Sequence, residues 1–282
     1  MSAALDMAGT ARAAIAAIAK LLQAGEAVPY LGPALAPDAL SPRTPEALAG
    51  FFGTKVALPR RAKGNVWAAA QHIESYKHRN TVMALMNEAF APAAPPAPLH
   101  AALAGLDLPL IVDSWYDNAM RTALAGRAGW GEVQGITRAG IGEDRWFRFY
   151  NPAGAAAAAD EAAGWSTLLY RPHGGVSPAH NYLISDSDYV EVLTEIDIQT
   201  PIPELVRQRR AGRSFIFLGC RFHDQMLRSY ARQIMKRSGT VHYALLPDGT
   251  LTRNESRFLA EQGIVPVTLP LGEAVCELLS SL

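Results

Sequence analysis

His173 follows an apolar run and precedes two glycines, in Leu168-Leu169-Tyr170-Arg171-Pro172-His173-Gly174-Gly175. Imidazole titrates close to neutrality, so a histidine delivered by a strand end has the chemistry of a general base. The two glycines after it leave room beside it for a ligand. The competing reading is a histidine that closes a strand end for structural reasons. Asp117 ends a second stretch, Leu110 to Asp117, where its carboxylate can hydrogen-bond a ligand, cap the next helix, or do both. Trp115, two residues earlier, offers an aromatic face for stacking on a ligand ring, or bulk that plugs a pocket. Gly32, Pro33 and Ala34 follow the apolar run Ala27–Leu31, where a buried strand leads into a loop too proline-rich to start a helix at once. Gly219 and Cys220 follow Ser214–Leu218 in the same way, and nothing near Cys220 in the sequence would lower its pKa and make it a nucleophile. His223-Asp224 reads as a helix cap and His72 and His78 as surface residues. Arg207, Arg209, Arg210 and Arg213 read as a solvated basic helix end, the position a helix dipole favours.

Each of these candidates needs an element to carry it. Ala27–Leu31, Leu108–Val112, Ser166–Tyr170 and Ser214–Leu218 are short apolar runs of strand length, and stretches of helical periodicity separate them. Strands of that kind alternating with helices predict a mostly parallel α/β sheet, Rossmann-like, with helices on both faces. In such sheets ligands bind at the C-terminal strand ends, and all four candidate stretches leave C-terminal ends. Between the first two strands no strand signal appears. Thr44-Pro45-Glu46 has the form of an N-cap with proline at the first helical position, and residues 65–90 keep helical spacing throughout. The expected organisation is an N-terminal helix at 1–25 and one domain at 26–282. That domain carries a helical insert at about 37–98 and an irregular, glycine-rich insert at about 126–164, in which 147–150 reads as an edge strand. The end of the chain reads as strand, helix and strand, finishing with Ile264–Val267.

The composition narrows the function. The 282 residues are 49% hydrophobic and 18% charged, with 26 basic and 26 acidic side chains. A balanced charge argues against a nucleic-acid surface or a polybasic membrane anchor. The 2 cysteines, far apart in sequence, cannot make a four-cysteine zinc site, so no metal site is expected. No run reaches membrane-spanning length and the N-terminus lacks the form of a signal peptide. A soluble cytoplasmic protein is expected, and the alanine, arginine and proline usage is that of a bacterial, GC-rich genome.

Taken in order, the stretches resemble the Sir2-like superfamily, in particular its zinc-free bacterial SIR2-like domains, over about residues 26 to 268. Val28–Ala36 stands where that family has a strand and a GAGxS loop. Pro98-Leu99-His100 with Leu103-Ala104 resembles its HxxLA helix, Ile111–Asp117 its TTNYD and Tyr170–Gly175 its KLHG. Asn181–Tyr189 and Ser214–Leu227 resemble two later segments. The resemblance implies an NAD pocket at the strand ends, with an adenine dinucleotide or ADP-ribose derivative as ligand. It implies cleavage of the nicotinamide–ribose bond with His173 as base and Asp117 positioning the ribose. It places Gly32, Pro33, Ala34, Trp115, Gly219 and Cys220 on the cofactor. Two departures stand out: Ala34 and Ala36 replace a glycine and a serine of the GAGxS loop, and Trp115 replaces the asparagine of TTNYD. Since an indole only donates, the resemblance leaves a second reading open, a catalytically silenced binding or scaffold module. A homo-oligomer or a separate partner chain fits either reading.

Overall fold

The strands that the apolar runs predict assemble around β1 (Ala27–Leu31), every residue of which is buried. In a computed structural model, residues 2–35, 42, 44–93, 95–137, 146–195 and 202–282 are described. The further strands are β2 (Leu110–Asp113), β3 (Trp130–Gly135), β4 (Phe147–Tyr150), β5 (Ala156–Ala157), β6 (Thr167–Arg171), β7 (Gly174–Gly175), β8 (Asn181–Tyr182), β9 (Ser214–Leu218), β10 (His242–Leu245) and β11 (Ile264–Pro266). Nine of them form one sheet in the order β11-β10-β9-β1-β2-β6-β3-β4-β5, and β7 and β8 make a separate hairpin. Within the large sheet, pairing is parallel from β11 through β3 and antiparallel at β3–β4 and β4–β5. The chain moves from β1 to β2 on one side and later returns with β9 on the other. The switch point therefore lies at the C-terminal end of β1.

The helices are α1 (Ser2–Gln23), α2 (Pro45–Lys55), α3 (Val66–Lys77), α4 (Arg79–Phe90), α5 (Pro98–Ala104), α6 (Ala119–Leu124), α7 (Ala159–Ala163), α8 (Asp186–Glu195), α9 (Glu204–Arg210), α10 (Gln225–Met235), α11 (Arg253–Glu261) and α12 (Leu271–Ser281). They cover both faces, and the two-residue period of a strand decides which core each strand residue joins. Val28, Tyr30, Leu110, Val112, Leu168, Tyr170, Phe215 and Phe217 face the core built with Phe52, Trp67, Ile73, Met86, Phe90 and Tyr230. Ala27, Leu31, Ile111, Leu169, Ile216 and Leu218 face the opposite core, made with Ile15, Ile18 and Leu22 of α1, Leu99 and Leu103 of α5, Met120 of α6 and Leu278 of α12. The α/β architecture is thus the expected one, with α2, α3 and α4 forming the helical part between β1 and β2.

Local signals hold at several ends. Thr44 caps α2, its side chain accepting from Ala47 N, and Asp224 caps α10 by accepting from Met226 N. The continuous helical spacing of 65–90 is interrupted at His78, whose φ of 69° separates α3 from α4. Arg79 then ties the break down, donating to Glu74 at 2.9 Å and to Asp188 of α8 at 2.8 Å.

The largest departure falls in the stretch expected to be irregular. Residues 130–135 are β3, fully buried and parallel to β6. Trp-Gly-Glu-Val-Gln-Gly has little strand propensity, so its place is set by its neighbours. A side chain on Gly131 would collide with the Trp165 ring, and one on Gly135 with the Pro172 carbonyl. Glu132, with no exposed surface, is neutralised by an ion pair with Arg121. The alanine run contributes β5 and α7, Phe147–Tyr150 forms the antiparallel β4 near the sheet edge, and Gly140–Gly142 lie outside the described residues. The chain also continues beyond β11 into α12, whose Ala274 and Leu278 are buried. Of the four arginines read as a solvated helix end, Arg207 stays at the surface beside Glu204, and the other three are tied to backbone carbonyls. Arg210 is buried and donates to the Gln233 and Ile234 carbonyls, Arg209 to Pro109 and Trp165, and Arg213 to Gly25.

Candidate functional site

A cavity of about 360 Å³ opens at the switch point. His173 reaches it from the end of β6, Ser114, Trp115 and Tyr116 from β2, and Gly219 through His223 from β9. Pro33 and Ala34 line it after β1, while Pro45, Glu46 and Trp67 enter from the helical part and Tyr189 from α8.

Of the residues expected at the site, Pro33, Ala34, Trp115, His173, Gly219 and Cys220 line this cavity, whereas Gly32 and Asp117 do not. Ala36 of the same loop lies outside the described residues. Gly32 stands directly behind the cavity. A Cβ there would lie 2.5 Å from the Gly219 carbonyl oxygen and 2.7 Å from Cys220 Cα, so its glycine character serves the packing of two backbones. The amides of this loop are also engaged. Gly32 N donates to Leu218 O at 2.8 Å, Ala34 N to Gly219 O at 3.2 Å and Leu35 N to Gly32 O at 3.4 Å, and Pro33 has no N–H. Asp117 accepts from Ala119 N at 2.8 Å, holding the start of α6.

His173 is buried, and burial alone depresses its pKa to about 3, so the ring is neutral at pH 7. Nδ1 lies 3.0 Å from the Tyr189 hydroxyl, while Nε2 is buried with no hydrogen-bond partner among the described residues. The ring packs against Tyr230 with centroids 4.6 Å apart. The glycines after it serve the frame: a side chain at Gly175 would occupy the position of the Arg171 guanidinium. Arg171, wholly buried, donates to Ser177 O at 2.9 Å, Asn118 Oδ1 at 3.2 Å, Tyr116 O at 3.0 Å and Asp117 O. It therefore fastens the loop after β2 to the strand that carries His173.

Trp115 is buried, its Nε1 donating to Pro42 O at 3.0 Å and its ring 5.1 Å from that of Tyr116. The Cys220 thiol contacts the Tyr30 and Leu218 carbonyls, and desolvation raises its pKa, which keeps it protonated and unreactive. At the mouth, His223 Nε2 lies 3.0 Å from Glu46 Oε1, joining the loop after β9 to α2. That hydrogen bond draws the Glu46 carboxyl down to about 2 and raises the His223 pKa. Arg221 makes a two-pronged contact with Glu255, at 2.8 Å and 2.9 Å. Sequence reasoning does not single out Tyr116, Tyr189, Trp67, Glu46 or Arg221 as site residues, and it reads His223 only as part of a helix cap. Tyr116, Tyr189 and Arg221 lie within the stretches that carry the resemblance. Trp67 and Glu46 come from the helical part and have no local signal of a site.

A mostly parallel sheet with an aromatic-walled cavity at its switch point defines a Rossmann-like α/β protein with a candidate ligand site. The SIR2-like domain profile matches residues 109–267, more than half of the chain, and the chain belongs to that family. The match covers β2 through β11 and begins after the Gly32 loop and the helical part. No curated protein matches the chain. Among the described residues, no helix is long and apolar enough to cross a membrane.

Proposed function

We propose that the cavity takes an NAD-type ligand, an adenine dinucleotide or ADP-ribose derivative, and that His173 assists cleavage of the nicotinamide–ribose bond. The observation that carries this reading is His173 itself, buried in the cavity wall with Nε2 unpartnered. In the reaction, the electron pair of the C1′–N bond leaves with nicotinamide and neutralises its ring. Water oxygen forms the new bond to C1′, and its proton passes to Nε2 and then to solvent. A general base contributes ~10²–10⁴ in rate when its pKa lies near the working pH, and the depressed pKa of His173 puts its share at or below the low end of that range. Asp117 acts from outside the cavity, fixing the start of α6 behind Trp115 and Tyr116.

A second reading, binding without turnover, draws support from the engaged Gly32 and Ala34 amides and from Trp115 in the cavity wall. Incubation with NAD while following nicotinamide separates the two. Release that is lost in His173→Ala supports cleavage. No release, with NAD binding retained by calorimetry, supports the silenced module, and Trp115→Asn then gains activity if Trp115 is the silencing residue. Neither release nor binding removes the NAD reading.

A further inference from the structure

The ligand proposed for the cavity carries two phosphates, and the loop after β1 has little to offer them. The Gly32 and Ala34 amides already donate to the Leu218 and Gly219 carbonyls, and Pro33 has no N–H. Apart from the neutral His173, the described basic side chains of the lining are Arg221 and His223, and both stand on the loop after β9. That loop is held from two sides. Phe222 N donates to Glu255 Oε1 at 3.0 Å, and the Phe222 and His223 carbonyls accept from Arg228 Nη1 at 2.6 Å and 2.7 Å. Each basic side chain meets a carboxylate, and the two carboxylates differ. Glu255 is 1% exposed and holds Arg221 through Nε and Nη2, leaving Nη1 without a hydrogen-bond partner among the described residues. Glu46 is 53% exposed and reaches His223 Nε2 from the helical part at 3.0 Å. Asp248, the other acidic group of the lining, accepts from Leu271 N of α12 at 3.3 Å.

We infer that Arg221 and His223 form a phosphate site at the cavity mouth, which Glu46 fills in the free protein and which a phosphate of the ligand takes over as Glu46 moves into solvent. The inference rests on the proposed NAD-type ligand and adds the residues that recognise its charge. A carboxylate and a phosphate are interchangeable to these donors, since both are negative and both form charge-assisted hydrogen bonds. A diphosphate has oxygens for His223 Nε2 and Arg221 Nη1 alike, whereas Glu46 pairs with His223 alone. Glu46 is the carboxylate that leaves, because an exposed ion pair is weak where water competes for both partners. Glu255 stays, because its buried carboxylate also accepts from the Phe222 and Thr252 amides. A ligand without phosphate has no group with which to displace Glu46.

The test is calorimetry of the full chain with ADP-ribose, with adenosine, which lacks the phosphates, and with pyrophosphate alone. Glu46→Gln removes the competing charge and is expected to bind ADP-ribose about 2–5-fold more tightly, the contribution of one exposed ion pair. His223→Gln and Arg221→Met each weaken ADP-ribose binding by about 10-fold, as for the loss of a hydrogen bond to a charged group. Adenosine affinity is the same in Glu46→Gln and His223→Gln as in the wild type. An ADP-ribose affinity unchanged or lowered in Glu46→Gln overturns the inference, as does one unchanged in His223→Gln. An equal change for adenosine also overturns it, because the variant has then moved the loop. Arg221→Met deprives Glu255 of its partner; should circular dichroism show that it does not fold, the two variants at the partly exposed Glu46 and His223 decide. A wild type that binds adenosine as tightly as ADP-ribose removes the phosphate site and leaves the adenine reading standing. If neither is bound, pyrophosphate decides: binding that tightens in Glu46→Gln keeps the site and removes the NAD-type reading, whereas binding that does not tighten, or none, removes both.

Discussion

Replacing Arg171 with Met tests whether one buried cation holds the site together. The guanidinium makes four hydrogen bonds, to Ser177 O, Asn118 Oδ1, Tyr116 O and Asp117 O, and has no exposed surface. Hydrogen bonds to a charged group contribute about 1.5–3 kcal/mol each. Against them stands the cost of desolvating the cation, several kcal/mol. Methionine restores much of the volume but satisfies none of the acceptors. Ser177 O keeps Gln134 as a donor and Tyr116 O keeps the Val176 amide, so the loss is smaller than the sum of four bonds. The expected destabilisation is about 3–5 kcal/mol, the range for removing one partner from a buried charged network. That is a large part of a whole stability of about 5–15 kcal/mol. Urea denaturation followed by tryptophan fluorescence measures it, with Arg171→Lys expected to fall between, since lysine keeps the charge but not the planar fork. A loss below about 1 kcal/mol for Arg171→Met, outside the range for a buried network, would show that the clamp is dispensable and that the β2 loop holds its place by packing alone.

Gly32→Ala places a methyl carbon 2.5 Å from the Gly219 carbonyl oxygen, and the expected cost is about 1–3 kcal/mol, as for overpacking. A melting temperature equal to that of the wild type would refute the close backbone approach as the reason for glycine there. His173 makes stability depend on pH. Its folded pKa of about 3 lies below the ordinary 6.5, so the unfolded chain binds the extra proton. Its contribution is complete above pH 6.5 and is lost as pH falls toward 3. Between pH 7.5 and pH 5 the wild type should lose about 2 kcal/mol more than His173→Gln in urea titrations. Equal losses in the two proteins would mean that His173 is not held neutral by burial.

The local signals in the sequence determined more of the frame than of the site. The strands at β1, β2, β6 and β9 and the caps at Thr44 and Asp224 depend on a residue's own type and on neighbours a few positions away, so they are legible in one dimension. The order of candidate stretches brought Pro33, Ala34, Trp115, His173, Gly219 and Cys220 to one cavity because parallel strands end on the same side. The tertiary structure alone decided β3, whose Glu132 and two glycines are tolerated only because Arg121, Trp165 and Pro172 lie where they do. It also decided what the glycines beside His173 are for. In the sequence they promise space for a ligand; in the fold, Gly175 makes space for Arg171. The difference has a physical cause. Periodicity and capping are short-range, whereas the satisfaction of a buried charge and the approach of one backbone to another depend on groups brought together from distant parts of the chain.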